Sequence, residues 1–286
     1  RGAKLVVNDK GCAIDGSGSS DRAADRVVDE ILTTGGSAVA SYHSVDTAEE
    51  GQAIIGTAIS NFGRIDALIN NAGIISNASF SEMTAEQLNQ VIATNLTGVL
   101  NVTQPAFRYM REQGYGRIVF TSSGAGLFGC RNEVNYASAK AALVGLSASL
   151  AIEGKADGVF CNIVSPAAKT RMEEGIRLED IGADLAGFAD IPENAPTLPD
   201  SAEYVVPLVT YLASDACQQT QMIYSAVKGR FARVFVGVAD GWYGPAGRPA
   251  TPEEIAEKMP LINDISTVHT PTSVFDELLL VHKESP

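Results

Sequence analysis

Cysteine is scarce in this chain and scattered. Cys12, Cys130, Cys161 and Cys217 are its only four in 286 residues, far apart and with no CxxC pair. That usage argues against a disulfide framework and against a thiolate metal site, so no metal is expected, and it fits a reducing, cytoplasmic setting. Basic residues are also few: 21 Lys and Arg stand against 34 Asp and Glu, a formal charge of −13. Nucleic-acid binding needs a basic face, so that partner class is excluded, and the charge reads as a solvated acidic surface. No apolar run approaches the roughly 18 residues of a membrane helix. No signal-peptide pattern, internal repeat, heptad or low-complexity tract is found. Hydrophobic residues at 45% and aromatics at 7% are those of an ordinary globule long enough for one large α/β domain.

What is present is an alternation of strands and helices. "KLVVND" reads as a strand ending in a carboxylate, followed by the glycine loop "KGCAIDGSGSS". "DRAADRVVDEILTTGG" carries Ala23, Ala24, Val27, Val28, Ile31 and Leu32 at helical spacing. "SAVASYHSV" is the next strand and "TAEEGQAIIGTAISNFG" a helix. "IDALINNAG" is a short strand broken at Asn-Asn-Ala-Gly, and a long helix is expected from about Thr84 to Glu112. "GRIVFTSS" and "VFCNIVSP" are strands on either side of the helix "NYASAKAALVGLSASLAIEG". Further on come a helix "SAEYVVPLVTYLASD", strands "MIYSAV" and "FARVFVGV", and a capped helix start at "TPEE". Such alternation builds a doubly wound, three-layer α/β fold on a parallel sheet, with ligands at the carboxyl ends of the strands.

The chemistry is sought at those ends. Tyr136 and Lys140 in "YASAK" stand four apart on one helix face. A phenol titrates near ~10, and a neighbouring ammonium favours its phenolate, so the pair is a plausible acid/base device. Solvated Tyr and Lys at this spacing are common, and taken alone the pair is weak. Ser123 ends a strand thirteen residues earlier and could hold a substrate oxygen; a plain turn serine is the rival. Gly73 of "NNAG" lets a ligand approach the backbone closely, although a tight strand-to-helix turn would look the same. Asn95 within a helical stretch is mildly unfavourable unless it bonds something specific.

Together, Asp9, "NNAG", Asn95, Ser123 and "YASAK", in this order and spacing, resemble the short-chain dehydrogenase/reductase family from Arg1 to about Val236. "RGAKLVVND" with its glycine-bearing insert, "YGRIVFTSS", "LAIEG" and "CNIVSPAAKTRM" are similar to the branch found in peroxisomal multifunctional enzymes type 2. The resemblance implies a dinucleotide-binding Rossmann-type domain over 1–240, with 241–286 as a C-terminal extension packing on it. It implies interconversion of a secondary alcohol and a ketone with hydride exchange to a nicotinamide. Tyr136 would be the general base, Lys140 would lower its pKa and hold the nicotinamide ribose, Ser123 would orient the substrate oxygen, and Asn95 would support a water path to Lys140. Asp9 would bind the adenosine ribose and repel a 2′-phosphate, giving NAD over NADP. Ser44 and Val45 would border the adenine, Asn71, Ala72 and Gly73 would line the cofactor cleft, and Thr170 would reach the nicotinamide. A homodimer or homotetramer is implied, packing through the two long helices; the small residues Ala137, Ala141, Gly145, Ala148 and Ala151 are compatible with this.

The chain also departs from the family. The first strand and the TGxxxGxG loop are absent, so the chain is expected to be N-terminally incomplete, with the lacking strand placed between "KLVVND" and "DALINN". "DGSGSS" only imitates a phosphate loop, for Asp21 stands where the third glycine should be. Gln221 and Lys228 occupy places where glycine is usual, which puts the local backbone in question. Arg131 and Asn132 could edge the substrate mouth, with surface exposure as the rival. Residues 167–200, with Met172, Ile176, Leu178, Ile181, Leu185 and Phe188, match a substrate lid by position and suit a bulky apolar substrate, a 17β-hydroxysteroid or a (3R)-3-hydroxyacyl-CoA. Lys169, Arg171 and Arg177 could meet the charges of coenzyme A. The rival class is a non-catalytic scaffold of the same fold that lacks cofactor binding.

Overall fold

The computed structural model describes residues 2–20, 22–172, 192, 195 and 197–284. Most of the expected lid, including Ile176, Arg177, Leu178, Ile181, Leu185 and Phe188, lies outside the described residues. The chain divides into two compact units, Arg1–Arg233 and Val234–Pro286.

The first unit has the Rossmann-type α/β architecture. Its order is β1 (Lys4–Asn8), α1 (Arg22–Thr33), β2 (Ser37–Ser41), α2 (Ala48–Phe62), β3 (Ala67–Asn70), α3 (Ala85–Ile92), a π turn (Ala93–Thr97) and α4 (Gly98–Gln113). Then come β4 (Gly116–Thr121), α5 (Gly124–Phe128), α6 (Val134–Gly154), β5 (Val159–Ala167), α7 (Val206–Leu212), β6 (Ile223–Val227) and β7 (Arg230–Val234). β3, β4, β5 and β6 pair in parallel, with Gly116 opposite Val159 and Ile163 opposite Ile223. β1 and β2 form a separate parallel pair. Among the described residues, no ladder joins that pair to the β3–β7 sheet. Leu5 of β1 and Ile69 of β3, residues that strands ordinarily bury, are 41% and 47% exposed.

The core sits around β4 and β5. Ile118, Val119, Phe120, Val159, Ile163 and Val164 are fully buried, with Val91, Met110 and Leu143 from the helices. At the amino end of β4 the buried Arg117 is sandwiched between the Tyr115 and Phe160 rings, 4.4 Å from each centroid. Its guanidinium donates to the carbonyls of Gly116, Gly158 and Cys217. An arginine can be buried when its N–H groups are bonded and its faces stacked.

Three expectations are refined. The long helix from Thr84 to Glu112 is interrupted: after a Thr84–Gln87 capping box, α3 gives way to a π turn in which the Gly98 amide bonds Ala93 O, five residues back. The helix over "SAEYVVPLVTYLASD" is shorter, a 3₁₀ turn at Ala202–Tyr204 followed by α7 with Pro207 in its first turn. Proline has no N–H to give and stands where none is needed. Gln221 and Lys228 do adopt the left-handed backbone that glycine would take freely, with φ 64° and 51°.

The second unit holds β8 (Val238–Ala239) paired antiparallel with β9 (Val268–His269), α8 (Pro252–Ile262) and α9 (Val274–Glu284). Thr251 and Glu254 close the capping box that "TPEE" announced. α9 was not expected from the sequence. Among the described residues no helix is long and apolar enough to cross a membrane.

Candidate active site

The catalytic candidates converge at the carboxyl ends of β3 and β4. Ser123 follows β4 and caps α5, its Oγ accepting the Ala125 amide at 3.2 Å. Tyr136 stands in the first turn of α6 and shares a side-chain hydrogen bond with Ser123. Lys140, one turn further, is 3% exposed, with Nζ 5.6 Å from the Tyr136 ring centroid. Nζ donates to Thr121 O at 2.8 Å, and Ser122 Oγ donates to Lys140 O at 2.8 Å, which ties α6 to the end of β4.

Asn95 lies in the π turn and is fully buried. Its Oδ1 accepts from Ile74 N and its Nδ2 donates to Ile74 O, both at 2.8 Å. The specific bond that a mid-helix asparagine called for is therefore a clamp on the backbone after Gly73. A Cβ on Gly73 would stand 3.1 Å from Asn95 Oδ1 and 3.5 Å from Lys140 Nζ. Asn71 is exposed, and its Oδ1 accepts from Thr121 Oγ1 at 3.3 Å; Ala72 beside it is exposed as well. Asn70, by contrast, is buried and donates to Thr103 Oγ1.

A second group sits at the ends of β1 and β2. Asp9 is exposed, and its Oδ1 accepts the Gly11 amide at 2.6 Å. Ser44 donates from Oγ to Asp46 at 2.6 Å and from its amide to Glu50 at 3.1 Å. Val45 O accepts from Asn101 Nδ2, and Asp46 accepts from Thr94 Oγ1, so this group hangs from the rod that carries Asn95. Gly98 is required at the contact, since a Cβ there would lie 2.5 Å from Val45 Cγ2. Thr170 is exposed, three residues beyond β5. The "DGSGSS" loop is pinned elsewhere: Ile14 O accepts the Ile75 amide and Asp15 O accepts Gln90 Nε2. Arg131 is exposed, and Asn132 is half-buried with φ 63°.

Burial acts on both the tyrosine and the lysine. Tyr136 is held above the ordinary phenol value, first because burial opposes the phenolate and then because the Glu133 carboxylate adds to it, against the Ser123 hydrogen bond. Burial also lowers Lys140, to about 8. The lysine is engaged with the Thr121 carbonyl and desolvated itself. Sequence reasoning missed Thr121, the acceptor for Lys140, and Glu133.

Comparison with known proteins identifies the family. The family model described as "short chain dehydrogenase" matches residues 3–180. The chain is 38% identical over 278 residues to peroxisomal multifunctional enzyme A of Dictyostelium discoideum, covering 97% of this chain and 58% of that protein. It is 43% identical over 229 residues to peroxisomal multifunctional enzyme type 2 of Drosophila melanogaster, covering 80% of this chain and 35% of that one. It thus spans about half the length or less of these relatives. A short chain dehydrogenase from Mycobacterium avium, of known structure, superposes with a TM-score of 0.73 at 32% identity over 92% of this chain and 88% of its own. On its match to the family model, its architecture and its convergent Ser123, Tyr136 and Lys140, this chain belongs to the short-chain dehydrogenase/reductase family.

Proposed function

We propose that this chain is an NAD-dependent oxidoreductase that interconverts a secondary alcohol and a ketone on a bulky apolar substrate. The observation that carries the reading is the Tyr136–Ser123 hydrogen bond beside the buried ammonium of Lys140. In the oxidative direction Tyr136 accepts the hydroxyl proton while Ser123 holds the same oxygen, so the oxygen's charge never builds up unpaired. In the reductive direction Tyr136 returns that proton to the carbonyl oxygen. Lys140 places a positive charge next to the ring on which negative charge develops.

The residues present fit a nicotinamide dinucleotide. Gly73 leaves open the space beside Asn95 and Lys140 that a Cβ would fill. Lys140 would hold the nicotinamide ribose, Asp9 the adenosine ribose, Ser44 and Val45 the adenine edge, Asn71, Ala72 and Gly73 the cleft wall, and Thr170 the nicotinamide side. When bound, a nicotinamide would supply the hydride acceptor or donor for the carbinol carbon. The exposed Asp9 carboxylate would repel a 2′-phosphate, which supports NAD over NADP. Asn95 acts by fixing the Ile74 backbone and therefore the Gly73 wall.

Two substrate classes fit, 17β-hydroxysteroids and (3R)-3-hydroxyacyl-CoA thioesters; Lys169 and Arg171 would meet the charges of the second. A homodimer or homotetramer is part of the reading, supported by α6, where Ala141 and Gly145 are exposed and a Cβ on Gly145 would meet nothing within 4 Å. A reducing cytoplasmic setting was inferred from cysteine usage; the relatives named as peroxisomal favour the peroxisome as the rival compartment. The test is a fluorescence titration of the purified chain with NADH and NADPH, followed by turnover of both substrate classes. Preferred NADH binding and oxidation of either class is the expected result. Binding of neither dinucleotide would favour the non-catalytic scaffold.

A further inference from the structure

Asn135 lies in the first turn of α6, directly before Tyr136, and is fully buried. A helix leaves its first amides without intrahelical partners, and the residue before the helix ordinarily serves one of them with its side chain. In α6 the preceding residue, Glu133, makes no such bond. Asn135 Oδ1 instead accepts the Tyr136 amide at 2.8 Å. The other end of the same side chain reaches out of the helix, where Nδ2 donates to Ser76 O at 3.0 Å and to Gln87 O at 3.3 Å. A buried primary amide is costly unless its bonds are made, and an apolar residue of similar size would fill the space without that demand.

Ser76 belongs to the stretch that leaves β3 through Gly73. Gln87 also grips it, donating from Nε2 to Ser76 Oγ at 3.2 Å, and α3, which carries Gln87, packs against α6. Two residues before Ser76, Asn95 holds both backbone groups of Ile74. Two buried asparagines thus grasp alternate residues of one stretch, Asn95 next to the cleft wall and Asn135 next to the tyrosine. A backbone bond from Ala78 N to Asn132 O at 3.0 Å joins the same stretch to the segment before α6.

We propose that Asn135 is a positioning residue for catalysis: it ties the turn that carries Tyr136 to the cleft segment 73–76, and so sets where the phenol stands relative to a nicotinamide held against Gly73. This rests on the reading of Tyr136 as the acid/base group. Proton transfer at the substrate oxygen and hydride transfer at its carbon must be aligned together, and a misplacement of ~1 Å can cost roughly 10²-fold in rate. Asn95 keeps its own hold on Ile74 when Asn135 is changed, so the wall beside the dinucleotide persists while the phenol drifts. The loss therefore falls on kcat and not on cofactor affinity.

Two variants test this. Asn135→Leu, of similar shape, removes all three bonds. Asn135→Asp keeps the acceptor for the Tyr136 amide, sets a carboxylate against the two carbonyls, and serves if Leu does not fold. In both, kcat should fall about tenfold to 100-fold while the Kd for NADH stays within about twofold. A double-mutant cycle with Tyr136→Phe separates positioning from general loosening. On that background Asn135→Leu or Asn135→Asp should lower the residual rate by less than about twofold, because a group that acts through the phenol has nothing left to act on. An equal fold-loss on both backgrounds would overturn the proposal. So would folded variants with wild-type kcat, or a NADH affinity that falls in step with kcat. Full turnover in Tyr136→Phe would remove the acid/base reading and the proposal with it, whereas an equal fold-loss beside an impaired Tyr136→Phe sinks the proposal alone.

Discussion

Five of the six residues of β4 are buried, and none of the five in β1. The residues proposed for chemistry, Ser123, Tyr136 and Lys140, grow from β4 and from α6, which packs over it. Those proposed for cofactor choice, Asp9, Ser44 and Val45, hang from a two-stranded pair tied to the rest by polar bonds through Asn101, Thr94 and Glu50 as well as by the Gly98–Val45 contact. In the first region a side chain is placed by core packing, so chemistry and stability are coupled. In the second, affinity can change with little effect on the fold.

Substitutions in the two regions should differ in what they cost. Tyr136→Phe should lower kcat by about 10²–10⁴-fold or more while NADH still quenches as before; an active variant would end the assignment. Phe120→Ala should cost about 3–5 kcal/mol in urea unfolding and Leu5→Ala under ~1.5, so equal losses would erase the difference between the regions. Lys140 gives a pH signature. Its folded pKa is about 8 and its unfolded value 10.5, so the unfolded chain holds more protons between these limits and stability rises with pH across them. Lys140→Met should remove that slope, worth on the order of 3 kcal/mol, and be relatively most stabilising at pH 7. On the other side, Asp9→Ala should weaken NAD about tenfold and improve NADP without a change in unfolding midpoint. Thr84→Ala, which removes a cap, should cost about 1 kcal/mol.

The same contrast governs what could be read from sequence. β4, β5 and α6 were legible because burial on both faces leaves continuous apolar runs and a small-residue helix. The left-handed backbone at Gln221 and Lys228 was legible because glycine was the expected residue there. Glu133 escaped notice since one carboxylate in an acidic chain carries no pattern; only tertiary burial makes it unusual. A lysine four residues from Tyr136 is visible in sequence, whereas the burial of both side chains is not. The π turn at Ala93–Thr97 left only the odd placement of Asn95 as a trace, because a helix that makes i→i−5 bonds keeps helical hydrophobic spacing on either side.

That turn also tells which deletions the chain can bear. A π turn holds one residue more than an α-ladder needs, and the surplus is absorbed locally. Removing one residue elsewhere between 85 and 113 would rotate everything beyond it by about 100° and swing the buried face of α4 toward solvent. Removing one within 93–97 would let the ladder close as a plain α-helix with both flanking faces still aligned. Such a shortened chain should fold and lose its grip on Ile74. The extra residue is an insertion the scaffold can do without and the cleft cannot.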